Sequence, residues 1–164
     1  MNIAVGSPTT VSGLPRVLVL GYGNPGRQDD GLGPAAAASI GSLQLPNLKT
    51  QDNYQLNIED AIDVAQHDIV WFIDASKTGS LPYTIKDISA ISTIEFTSHF
   101  VRPEFILAIA QHYFGKLPQA HLLAIRGYEF EFVEELTDAA RDNLRAALVM
   151  LTDKIHHVLT GRAS

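Results

Sequence analysis

The sequence predicts an α/β fold with three αβα layers: a mostly parallel, mixed sheet of about five strands covered by helices on both faces. Two observations carry this expectation. Short apolar runs of strand length, among them Val17–Leu20, Ile69–Ile73 and His121–Ile125, show no polar alternation, as expected of strands buried on both sides. Segments with helix start signals or helical periodicity lie between or after these runs, so strand and helix alternate along the chain.

Taken in order, Val17–Leu20 is bounded by Pro15 and the Gly21–Gly23 turn. Pro34–Ile40 reads as a helix, with an early proline and an alanine run behind it. Leu48–Asp52 is a short strand. Asn57 is placed to cap a helix through about Gln66, with Glu59 and Asp60 in its first turn. Ile69–Ile73 contains Trp71 and Phe72 and is the most apolar strand. Tyr83–Ile88 alternates like a half-exposed strand, and Pro103–Tyr113 starts as a helix with Pro103 and Glu104. From about Thr137 to Leu159 the chain predicts one long amphipathic helix. Leu144, Leu148, Leu151, Ile155, Val158 and Leu159 form its stripe, which either packs on the sheet or forms a dimer seam.

Composition narrows the function. The 164 residues are 46% hydrophobic and 18% charged, which is globular and long enough for a complete core. We expect one domain over residues 15–164 after a loose N-terminal extension over 1–14, which lacks the charged start of a signal peptide. There are no cysteines, excluding disulfides, a thiol nucleophile and Cys-based metal sites; this fits a cytoplasmic location. The net charge is −6 with no basic stripe, so no nucleic-acid partner is expected. No apolar run is long enough for a membrane span.

The segment Gly21-Tyr22-Gly23-Asn24-Pro25-Gly26 contains the glycine spacing of a dinucleotide loop. A pyrophosphate there would meet Asp29 and Asp30, with only Arg27 to offset them, so that reading fails on charge. Gly23–Gly26 also resembles the Gly-Asn-Pro-Gly of peptidyl-tRNA hydrolases, but that family's following Thr-Arg-His-Asn segment has no counterpart here. On local chemistry alone, Asp29 and Asp30 are a solvated turn or a helix cap. Asp74 ends an apolar strand, where a carboxylate is partly desolvated unless paired or facing a cation. It either makes an Asx turn onto Ser76 or Lys77 or borders a ligand crevice. His67 sits at a helix end, where a cation is favoured.

Leu18–Gly33 resembles the opening of the hydrogenase maturation endopeptidases: an apolar strand, Gly-x-Gly-Asn, a short loop, an acidic pair (Asp29-Asp30) and Gly-x-Gly (Gly31–Gly33). The family's apolar strand ending in Asp-Ala matches Ile73-Asp74-Ala75, and its Ser-His before a helix matches Ser98-His99. The resemblance runs from about Arg16 to Leu159. It implies a phosphorylase/hydrolase-like fold and a peptidase that removes a C-terminal extension from a nickel-iron hydrogenase large-subunit precursor after nickel insertion. It makes Asp30, Asp74 and His99 both the metal-site and the catalytic residues, with Asp29 a supporting neighbour. The nickel would arrive with the substrate, no organic cofactor is expected, and the enzyme would be a monomer. Two carboxylates and an imidazole suit nickel or zinc and leave an open position. The alternative is a non-catalytic metal-binding or chaperone-like module on the same fold. One departure stands out. Where many members carry Gly-Gly-Thr-x-Gly after the second strand, this chain has Asp52-Asn53-Tyr54-Gln55-Leu56-Asn57, which changes a wall of the cleft.

Overall fold

A computed structural model describes residues 9–92 and 101–161. Among these residues five strands form one sheet: β1 (Val17–Tyr22), β2 (Leu48–Asn53), β3 (Ile69–Ser76), β4 (Tyr83–Ile88) and β5 (Gln119–Arg126), in the order β2-β1-β3-β5-β4. Only β4 runs antiparallel to its neighbour. Among the described residues four α-helices accompany the sheet: α1 (Leu32–Gly41), α2 (Asp60–Ala65), α3 (Pro103–Phe114) and α4 (Asp138–Thr160). The expected mixed αβα sheet is therefore present.

Alternation along each strand divides the core into two layers. Val17, Val19, Trp71, Ile73, Leu123 and Ile125 face α1 and α4. Leu18, Leu20, Val70 and Phe72 face α2 and α3. Both layers are apolar, so the strands read as continuous hydrophobic runs. Leu18, Phe72 and Ile73 are fully buried, each contributing roughly 1.5–3 kcal/mol over an exposed side chain. The stripe on α4 packs into the first layer: Leu144, Leu151, Ile155 and Leu159 are buried, and Leu148 and Val158 lie against them. Packing on the sheet accounts for that stripe without a dimer seam. Thr137 caps α4 by accepting from the Ala140 N–H, and Gly161 ends it in the left-handed conformation.

Three local readings need correction. The helix expected from Pro34 starts earlier, at Leu32, directly after a 3-10 turn over Pro25–Gly31. Asn57 does not cap α2 with its side chain; its backbone N–H donates to the Asp60 carboxylate (2.8 Å). His67 is not a helix-end cation. It is buried, bonds the Asp63 carbonyl through Nδ1 (2.6 Å), and burial pushes its pKa down, which favours the neutral ring. Of the extension expected over 1–14, residues 9–14 are tied to the body by Asn47. Its side chain donates to the Val11 and Leu14 carbonyls, and its backbone N–H donates to the Thr9 carbonyl.

The order in which strands are added to the sheet reverses at β1. It leaves through α1 to β2 on one side and returns through α2 to β3 on the other. The carboxyl ends of β1 and β3 therefore flank a topological switch point, where open α/β sheets form ligand crevices.

Candidate active site

The glycines between β1 and α1 bring the acidic pair to that crevice. A Cβ on Gly33 would lie 2.4 Å from the Tyr22 carbonyl oxygen and 2.5 Å from that of Ile73, so only glycine lets α1 start against the ends of β1 and β3. Gly23 has φ +138°, and a Cβ there would strike the Asp30 carbonyl. These close approaches use the glycines for packing. The Asn24 side chain then accepts from Gly26 N–H (2.9 Å) to start the 3-10 turn.

Asp29 and Asp30 emerge on opposite duties. Asp29 is fully buried. Its carboxylate accepts from Tyr128 N–H (2.8 Å), Glu129 N–H (3.1 Å), Thr137 N–H (2.8 Å) and the Thr137 hydroxyl (2.8 Å). Burial alone would raise its pKa, but these bonds outweigh it and hold the carboxyl below its usual value. Asp29 thus fastens the segment before α4 to the 3-10 turn, the supporting role expected of it. Among the described residues the Asp30 side chain accepts one bond, from Asn24 N–H (2.8 Å), and it lines the cleft. It caps no helix.

Asp74 lines the same cleft. Its Oδ1 accepts from the adjacent Ala75 N–H (2.8 Å), so neither Ser76 nor Lys77 provides the expected Asx turn. Burial, with the Asp30 charge adding to it, pushes the Asp74 carboxyl up to about 6. Two of the three residues singled out in the sequence therefore share one site at the switch point. The third, His99, lies outside the described residues. Among the described residues no three His, Asp or Glu side chains gather as a metal-binding group.

The cleft has a volume of about 790 Å³. Tyr54, Gln55, Ile58 and Glu59 form one wall and Val101–Glu104 another, so the bulky Tyr54-Gln55 pair does face the site. Among the described lining residues the carboxylates are Asp30, Glu59, Asp74 and Glu104, against the cation Arg102, a balance that favours a cationic ligand. Tyr22 also lines the cleft, a residue that sequence reasoning missed. Burial first, then the charges of Asp74 and Glu104, raise its phenol pKa. A smaller cavity of about 420 Å³ at the amino-terminal end of β3 holds the His121–Asp87 pair (2.7 Å) and contains neither Asp30 nor Asp74.

No known protein-family model and no curated protein sequence matches the chain. Solved structures do. The hydrogenase maturating endopeptidase HybD from E. coli superposes with a TM-score of 0.67 at 18% identity, covering 87% of this chain and 93% of its own. The NiFe hydrogenase maturation protease HycI from Thermococcus kodakarensis gives 0.68 at 19%, with the same coverage of 87% and 93%. A hydrogenase 2 maturation peptidase from a Thaumarchaeota archaeon gives 0.62 at 23%, covering 85% and 97%. The likeness spans nearly the whole of each neighbour, as the resemblance of Leu18–Gly33 implies, and the chain carries the fold of the hydrogenase maturation endopeptidases.

Proposed function

We propose that the chain is a hydrogenase maturation endopeptidase, which removes a C-terminal extension from a nickel-iron hydrogenase large-subunit precursor after nickel insertion. The observation that carries this reading is the meeting of Asp30 and Asp74 in one acidic cleft at the switch point of this fold. His99 is the proposed third member; it lies two positions before Val101, which lines the cleft wall.

In this reading the nickel is part of the substrate. Asp30 and Asp74 offer it two carboxylates and His99 a neutral imidazole, a donor set that suits a borderline ion and leaves positions for the precursor's own ligands. Asp74 is poised to respond, because a cation in front of it favours the carboxylate over the acid that burial favours. Recognition then sets the scissile peptide in the cleft, where the nickel would supply Lewis-acid polarisation of the carbonyl or a water, or where Asp30 or Asp74 would accept the proton of the attacking water.

Incubation with a nickel-loaded large-subunit precursor, read by mass spectrometry, tests this function. Loss of the extension mass supports the peptidase. Stable binding with unchanged mass supports instead a metal-binding or chaperone-like module.

A further inference from the structure

We infer that Tyr22 is a substrate-contacting residue whose phenol hydroxyl donates a hydrogen bond to a peptide carbonyl held beside Asp74. The inference rests on the peptidase reading above and adds to it a residue that neither the acidic pair nor His99 accounts for.

The register places Tyr22. In the parallel β1–β3 pair, Leu20 lies opposite Phe72 and Gly21 opposite Ile73, where the pairing ends; Tyr22 and Asp74 are the next residues along the two strands. Alternation gives both side chains one face: Leu18, Leu20 and Tyr22 on β1, and Val70, Phe72 and Asp74 on β3, project toward α2 and α3. Both residues line the one cleft, close enough for the Asp74 charge to act on the Tyr22 phenol. Glu104, at the start of α3, lines the same cleft.

The ring packs against the Leu18–Leu20 layer, which fixes its direction, while the residue remains part of the cleft lining. Among the described residues the Tyr22 hydroxyl makes no hydrogen bond. A phenol has an ordinary pKa of about 10 and keeps its proton at neutral pH. Its carboxylate neighbours Asp30, Asp74 and Glu104 only accept when ionised, so within this acidic wall Tyr22 supplies a neutral donor. Peptide hydrolysis needs such a donor. Water oxygen bonds to the carbonyl carbon, the C–N bond breaks, and the water's protons end on the new carboxyl group and the leaving amine. The carbonyl oxygen gathers negative charge on the way, and Tyr22 stabilises it without giving up its own proton.

Tyr22→Phe removes the hydroxyl and keeps the ring. Precursor processing by this variant, measured as kcat and KM beside the wild type, should show kcat reduced on the order of 10²-fold with KM changed little, and an unchanged melting temperature. A Tyr22→Phe protein with wild-type kcat and KM would overturn the inference, since packing alone would then explain the residue. If the wild type binds the precursor but does not cut it, the peptidase reading fails separately. Precursor affinity then decides: several-fold weaker binding by Tyr22→Phe supports the donor, and equal binding overturns it.

Discussion

Asp30, on the 3-10 turn that follows β1, and Asp74, near the carboxyl end of β3, reach one cleft, and the charge of the first adds to burial in raising the second to about 6. The sign of the consequence follows. A carboxyl whose folded pKa lies above its unfolded value favours folding in its neutral form, so that contribution is full below the ordinary value of 3.8 and is lost as pH rises through about 6. Asp74→Asn keeps an oxygen for the Ala75 N–H and removes the penalty. We expect it to stabilise the isolated protein at pH 8 by on the order of 2 kcal/mol in urea unfolding, with the gain vanishing near pH 4. Equal stability of the two proteins at pH 8 would contradict the assigned burial.

Asp30→Asn separates charge from scaffold. The bond that Asp30 accepts from Asn24 survives in the amide. Its melting temperature should stay within about 2 °C of wild type, since an exchange that keeps the bond at a surface-accessible position costs little. Processing of the nickel-loaded precursor should collapse. An Asp30→Asn protein that cuts at the wild-type rate removes Asp30 from the site.

The neighbouring residue should behave oppositely. Asp29→Ala strands Tyr128, Glu129 and Thr137 N–H groups that now meet one buried carboxylate. Bonds to a charged group contribute about 1.5–3 kcal/mol, so a loss of at least roughly 3 kcal/mol is expected in denaturant unfolding. Because its folded pKa is depressed, Asp29 contributes stability present above the ordinary carboxylate value and lost as pH falls through the folded one. The variant should therefore lose less on acidification than the wild type.

These two adjacent aspartates show what was legible in the sequence. The strands were readable because both faces of β1 and β3 are covered, leaving uninterrupted apolar runs such as Val17–Leu20 and Ile69–Ile73. Asp74 was readable because a carboxylate closes such a run. Asp29 could be placed beside Asp30 but its task could not, since its partners lie 99 to 108 positions further along the chain. His67 was misread because helix position suggests a cation, whereas burial decides its charge. Tyr22 looked like an ordinary strand residue; its place beside Asp74 depends on the register between β1 and β3. Asn47 likewise ties down residues 9–14 through contacts no local pattern announces.

The most direct measurement is the mass of the precursor after incubation with the protein, taken in parallel with nickel-loaded and nickel-free large subunit. If Asp30, Asp74 and His99 read the nickel that the substrate carries, the loaded precursor loses its C-terminal extension and the nickel-free one keeps it, while His99→Ala leaves both intact. A loaded precursor that keeps its full mass, or equal cleavage of both forms by the wild type, would contradict the account.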